Sequence, residues 1–246
     1  MRYAIFSDVH SNHEALERVL EKIDELRVDR VLNLGDLVGY YASPNECVDA
    51  VRARAITSIM GNHDVVACGR VEPVYFNPTA AAAVLWSRET LTDSNREWIR
   101  ALPDSLIVDE SILMVHGSVR DRDEYLLFRP EIESSFESFA EQYPTLRVAF
   151  FGHTHRRIYY EDDGNNLYAG TKAEKLVLRP GGRYLINPGS VGQPRDGDPR
   201  AAFCVYDAEA AEVSFFRVPF DIDKTAERIR ALPFGDSLAR RLYRGI

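Results

Sequence analysis

The sequence predicts an α/β fold. From Tyr3 to Met60, short apolar runs alternate with amphipathic stretches at β-α-β-α-β spacing. That spacing builds a parallel sheet with helical crossovers. Beyond Phe151, short apolar runs are joined by Gly, Asp and Asn turns, which is the chemistry of an antiparallel meander. Five of the apolar runs also end in turns rich in Asp, Asn and His.

Each element follows in order. Tyr3–Phe6 is a buried first strand and Ser7–His10 its exit loop. Ser11-x-x-Glu14 has capping-box form. Leu16, Val19, Leu20, Ile23 and Leu26 then repeat at helical spacing. Val31–Leu34 is a second strand, stopped by Gly35-Asp36. Ser43-Pro44-Asn45-Glu46 is another capping box, with Pro at the first helical position, and opens a helix to about Arg54. Ala55–Met60 is a third strand, ended by the turn Gly61-Asn62-His63-Asp64. After a loop around Pro73–Pro78, helices are predicted over Thr79–Glu89 and Asp93–Ala101. Strands follow at Leu106–Val108 and Ile112–Val115, the second ending at His116-Gly117-Ser118. A mixed-charge segment from Arg120 to Glu124 precedes a helix over Ile132–Gln142. Val148–Phe151 is a strand, and the meander continues with Ile158–Tyr160, Lys175–Leu178, Tyr184–Ile186, Ala202–Tyr206 and Val213–Arg217. A final helix over Asp223–Ala231 closes the chain. With no repeat and no linker, residues 1–246 read as a single domain.

Composition narrows the function. The chain is 45% hydrophobic, enough for a sizeable core. A net charge of −8 argues against non-specific nucleic-acid binding, which needs clustered cations. It leaves room for a phosphorylated substrate, because bound cations reverse local charge. No apolar run approaches the ~20 residues of a membrane helix, and Asp8 cuts the N-terminal run too early for a signal peptide. Cys47, Cys68 and Cys204 are too few and too scattered for a disulfide framework. A cytoplasmic protein is expected.

The strand ends carry the chemistry. They bear Asp8 and His10, Asp36, Asn62-His63-Asp64, His116, and His153 with His155. These include five of the chain's six histidines. An extended His153-Thr154-His155 would aim both imidazoles at one spot. In a parallel α/β sheet the carboxyl ends of the strands share one edge, where ligands bind. Any one of these residues alone is equally a cap or a turn. Together they need one explanation, a metal site. Two ions can be surrounded, one by Asp8, His10, Asp36 and His155, the other by Asp36, Asn62, His116 and His153. Asp36, with two oxygens, can bridge them. Two carboxylates against two divalent ions leave a net positive site, suited to an anionic phosphate.

The motifs Asp8-Val9-His10, Gly35-Asp36-Leu37-Val38-Gly39, Gly61-Asn62-His63-Asp64, His116-Gly117 and Gly152-His153-Thr154-His155, in this order, resemble the calcineurin-like metallophosphoesterase superfamily. The stretch Ile186–Arg195 is similar to the small prokaryotic phosphodiesterase branch. The resemblance implies a two-layer β-sandwich of mixed sheets flanked by helices, and the same ligand partition. It implies His63 as a catalytic residue beside the phosphate, with Asp64 orienting it. It implies a hydrolase of phosphate esters, most readily diesters, that uses a metal-bridging hydroxide. Mn²⁺ is the implied metal, although mixed imidazole and oxygen ligands also accept Fe, Co, Ni or Zn. Purple acid phosphatases, a sister group, carry a tyrosine ligand where this chain has Gly39, so no iron–tyrosinate chromophore is expected.

The alternatives are a phosphomonoesterase of the protein Ser/Thr phosphatase type and a non-catalytic scaffold of the retromer-subunit kind. The scaffold lacks a complete catalytic set, whereas every position is present here. The expected partner is a small phosphorylated substrate such as a nucleotide diester. An insertion at about 66–130 is expected to overhang the site. Arg120 is a candidate phosphate contact, the Gly189-Ser190 loop a candidate source of N–H groups, and Tyr40, Tyr41 and Phe76 candidate stacking partners. Oligomeric state is not legible.

Overall fold

The computed structural model describes residues 1–171 and 173–246. Two six-stranded sheets pack face to face with helices outside both. In the first sheet, β1 (Arg2–Phe6), β2 (Arg30–Asn33) and β3 (Thr57–Ser58) are parallel, with α1 (His13–Leu26) and α2 (Pro44–Ala53) as the crossovers. The second sheet is built around another parallel trio: β5 (Ile112–Met114), β6 (Val148–Phe150) and β10 (Arg183–Pro188). Antiparallel strands flank both trios. In the first sheet these are β11 (Ala201–Asp207), β12 (Glu212–Val218) and β9 (Lys175–Val177). In the second they are β4 (Leu106–Val108), β7 (Arg157–Asp162) and β8 (Leu167–Gly170). The expected mixed-sheet sandwich is therefore present. The first three strands do not make a wholly parallel sheet, because β11 pairs antiparallel to β1.

Strand alternation places the core. Along β1, Tyr3 and Ile5 enter the layer between the sheets with Leu32, Met114, Phe150 and Ile186, while Ala4 and Phe6 face α1 and α2. On the far side, Leu113, Ala149, Phe151 and Leu185 pack against α6 (Arg129–Gln142).

Local chemistry corrects several boundaries. Asn12, not Ser11, caps α1, accepting from Ala15 N at 3.2 Å. Gly61-Asn62-His63-Asp64 is not a turn but opens a short helix, α3 (Asn62–Ala67), where Asp64 Oδ2 accepts from Gly61 N at 3.0 Å. After α4 (Pro78–Thr90), α5 (Asp93–Arg100) and α7 (Ile222–Arg230), the chain does not end on α7. It adds α8 (Gly235–Arg244), which buries Leu238, Ala239 and Leu242. Pro233 and Gly235 mask that helix in the sequence. No helix among the described residues is long and apolar enough to cross a membrane. The three cysteines are buried and free.

Candidate metal centre

The six parallel strands deliver their C-terminal ends to one rim, as parallel strands do. Asp8 and His10 leave β1, Asp36 leaves β2, and Asn62 and His63 follow β3. His116 leaves β5, while His153 and His155 follow β6. Backbone bonds zip these loops together: Asp8 N donates to Gly35 O at 3.1 Å, His10 N to Asp36 O at 2.9 Å, and Gly152 N to His116 O at 2.8 Å. Asp8, His10, Asp36, His153 and His155 all have positive φ. Non-glycine residues rarely adopt that conformation, and its clustering marks a site where backbone strain is held for a purpose.

Two groups of side chains can each hold a metal ion, and they share Asp36. One is Asp8, His10, Asp36 and His155; the other is Asp36, His116 and His153. Asp36 Oδ2 lies 3.5 Å from His10 Nε2 and 3.3 Å from His116 Nε2, so one oxygen faces both groups. Its Oδ1 instead accepts from His63 N at 2.8 Å. Asn62 Oδ1 lies 3.2 Å from His116 Nε2, beside the second group. The positive φ at His153 (62°) and His155 (57°) breaks the extended geometry expected there. Their rings therefore do not face one spot but go to different groups.

The donor chemistry fits divalent cations. His10 Nδ1 faces Val38 O at 3.2 Å, His155 Nδ1 faces Gln193 O at 2.7 Å, and His116 Nδ1 faces Leu34 O at 2.8 Å. At His10 and His155 the carbonyl holds the ring proton on Nδ1 and leaves Nε2 as a lone-pair donor. His153 reverses this, with Nε2 on Asp123 O at 3.0 Å. At His116 burial opposes the charge, but the Asp36 carboxylate beside it raises the ring pKa to about 9, so its Nε2 would give up a proton to a cation. Asp8 Oδ2 is buried with no hydrogen-bond partner, which is costly unless a cation meets it. Burial pushes the Asp8 carboxyl up and holds the His10 and His155 rings neutral. Burial also opposes charge on Asp36, but the surrounding imidazoles, His116 foremost, keep its carboxyl well below the usual range.

His63 is buried, and burial lowers its pKa to about 4. The ring packs at 4.6 Å from Tyr40 and 4.7 Å from Phe76, and Nδ1 has no partner. Asp64 does not orient it. Its Oδ1 accepts from Leu37 N at 2.9 Å and Val38 N at 3.2 Å, and its Oδ2 from Gly61 N. Asp64 braces the Asp36 loop against α3, and the expectation of a His63–Asp64 pair is corrected.

Arg120 is also redirected. Its half-exposed guanidinium pairs with Glu124 four residues on. In the Gly189-Ser190 loop, Gly189 N is spent on Asn187 Oδ1 at 2.8 Å and is not free for an anion. Val191 N and Gly192 N bond Ser7 O and Asp8 O, so the loop buttresses the Asp8 turn. Tyr41 is fully buried, with its hydroxyl accepting from Gln193 Nε2 at 3.1 Å, and cannot stack on a ligand.

The cation that sequence reasoning passed over is Arg195. Its guanidinium lies over the Tyr40 ring at 5.6 Å and donates to Tyr40 Oη at 3.1 Å and Gln193 Oε1 at 2.9 Å. Among the described residues it makes no ion pair. Its field depresses His155, His10 and His63 together, after burial, so it stands close to the metal groups. Its place at the end of the Ile186–Arg195 stretch was the available signal, but only tertiary contacts reveal that it has no carboxylate.

Residues 1–211 match the family model of the calcineurin-like phosphoesterase superfamily domain. An uncharacterised protein of Methanocaldococcus jannaschii is 34% identical over 247 residues, spanning 98% of this chain and 97% of that protein. The crystal structure of a metallophosphoesterase from Sphaerobacter thermophilus is 38% identical, covers 100% of this chain and 99% of its own, and superposes with a TM-score of 0.84. A hypothetical protein from Pyrococcus horikoshii shares the fold at a TM-score of 0.82 and 21% identity, over 100% of this chain and 98% of that one. The chain belongs to the calcineurin-like phosphoesterase superfamily.

Proposed function

We propose that the protein is a phosphoesterase with a dinuclear metal centre and that phosphodiesters are its preferred substrates. The observation that carries the reading is Asp36 Oδ2 facing His10 Nε2 and His116 Nε2 at once, the arrangement a bridging carboxylate requires. Asp8, His10 and His155 complete one coordination group, and Asn62, His116 and His153 the other. Mn²⁺ is the metal we favour, with Fe, Co, Ni and Zn accepted by the same donors. Divalent ions in these groups would supply a water of lowered pKa and positive charge for the phosphate oxygens.

The chain's own residues do the rest. Arg195, with no carboxylate to satisfy it, takes a phosphate oxygen that the metals leave free. His63, kept neutral by burial, donates a ring N–H to the leaving oxygen as charge builds there. Tyr40 and Phe76 hold the His63 ring between them. Within a single domain of 1–246, the 66–130 stretch overhangs the centre; Phe76 and Tyr125 from it line the same cavity as His63 and His153. The preference for diesters is supported by the resemblance of Ile186–Arg195 to the small phosphodiesterase branch.

The test is paired hydrolysis of bis-p-nitrophenyl phosphate and p-nitrophenyl phosphate by chelator-stripped protein, before and after Mn²⁺ is restored. Metal-dependent cleavage favouring the diester is expected. Preference for the monoester would replace diesterase by monoesterase. Two bound metals with no cleavage of either would favour a scaffold.

A further inference from the structure

A cavity of about 620 Å³ opens beside the metal centre, with His63 and His153 in its wall. The size is that of a small-molecule site. Its outer lip gathers apolar surface that the fold does not use. Val71, Val74, Tyr75 and Tyr125 are 45%, 75%, 99% and 43% exposed, and all four line this one cavity. Single exposed apolar residues need no explanation, but a cluster rimming a cleft does. The inner wall is aromatic too. Phe76 packs on His63, and Tyr125 stacks on His153 with ring centroids 3.9 Å apart.

The charged residues at the mouth are already satisfied. Glu72 pairs with Arg88 at 2.9 Å, and Arg122 pairs with Asp104 at 2.7 Å and Asp123 at 3.3 Å. Among the described residues, no spare cation in this wall awaits a second phosphate or a carboxylate. The lip is also held in place, because Arg88 donates to Val66 O and Val71 O, each at 2.8 Å.

We infer that this cleft receives the organic group of the phosphate ester, and that the group is uncharged and aromatic, of aryl or nucleobase type. The inference rests on the phosphoesterase reading and adds the substrate class to it. With the phosphate at the metals and its leaving oxygen at His63, the rest of the leaving group projects into the cleft. There Phe76 and Tyr125 offer ring faces, and Val74 and Tyr75 cover the outer side.

The test uses two phosphonates with the same charged head, which no hydrolase of P–O bonds consumes. Phenylphosphonate and methylphosphonate are titrated calorimetrically into Mn²⁺-loaded protein. Phenylphosphonate is expected to bind roughly tenfold tighter or more, an advantage of about 1.4 kcal/mol. In the double variant Val74→Ser with Tyr75→Ala, the ratio should fall to about threefold or less, with methylphosphonate affinity kept as the internal reference. Val177→Ala, an exposed apolar residue on β9, should leave the ratio as it was. Equal affinity for the two phosphonates, or a ratio untouched by the double variant, would overturn the inference and leave the phosphoesterase reading standing. Failure of both to bind would overturn the two together. Both lip residues are exposed, so their loss spares the core.

Discussion

His10 and His155 face each other through Nε2 at 3.0 Å, while each turns Nδ1 to a backbone carbonyl. Both rings are fully buried, and burial keeps them neutral. Two lone pairs thus point at one spot, an arrangement that repels until a cation sits there. Metal binding is therefore expected to stabilise the fold. At a free Mn²⁺ concentration near 100 times Kd, the gain is about 2.7 kcal/mol. Differential scanning calorimetry of chelator-stripped protein, with and without Mn²⁺, measures it. His155→Ala should remove most of the gain, and a melting temperature indifferent to metal would refute the centre.

Arg195 and Arg120 make opposite predictions. Arg195→Gln should lower kcat/KM on bis-p-nitrophenyl phosphate about 100-fold, because a charge-assisted donor at a developing oxyanion is lost. Bound metal, counted by elemental analysis, should not change. Arg195→Lys should recover part of the loss, as a point charge without the planar fork. Arg120→Gln should fall within about twofold of the parent, since exposed pairs such as Arg120–Glu124 contribute little.

His63 carries a separable prediction. His63→Ala should lower kcat by 10²- to 10⁴-fold, the usual range for a group acting on a proton, with both metals retained. Loss of metal along with turnover would make the residue structural instead.

Gly39 explains why this corner tolerates so little change. Its φ is +122°, and an added Cβ would stand 2.5 Å from His63 Nδ1 and 3.0 Å from His10 Nδ1. Gly39→Ala should cost roughly 1–3 kcal/mol of stability. It should also reduce kcat at least tenfold in the fraction that remains folded, because the His63 ring must shift. Urea unfolding and steady-state kinetics on the same preparation separate the two effects.

What could be read in advance was local. An apolar run followed by a ligand-rich turn is a short-range pattern, so the strand exits bearing Asp8, Asp36 and His116 were legible. The left-handed backbone at His153 and His155 was not, because neither is glycine and tertiary bonds impose the conformation. His153 N, for one, donates to Asp8 Oδ1 at 3.2 Å. Asp64 looked like a partner for its neighbour, yet its Oδ1 is claimed by Leu37 and Val38, distant in sequence, and its Oδ2 by Gly61. Arg195 escaped for the same reason in reverse. Its significance is the carboxylate it lacks, and only the folded chain decides that.

The two sheets must hold their rims in register for any of this chemistry, and one clasp joins them at the opposite end of the strands. Tyr3 Oη on β1 donates to Asp109 Oδ2 at 2.7 Å, and Arg30 Nη1 on β2 donates to Asp109 Oδ1 at 2.7 Å. Asp109 belongs to the β4–β5 turn of the other sheet. The hydrogen bond from Tyr3 and the pairing with Arg30 hold its carboxyl below the ordinary value. Burial, then Asp109 itself, raises the Tyr3 hydroxyl to about 12. The signs follow from linkage. A depressed carboxyl stabilises the fold above its unfolded value near 3.8 and loses that contribution as pH falls through the folded one. A raised phenol stabilises below about 10 and loses it as pH climbs through about 12. The clasp therefore works between roughly pH 4 and 10. Asp109→Asn keeps a residue that tolerates the positive φ of 47° at this position but removes the charge. It should lower the melting temperature at pH 7 and flatten the acid limb of the stability profile. A variant whose acid limb superposes on the parent's would show that the carboxylate does not hold the sheets together.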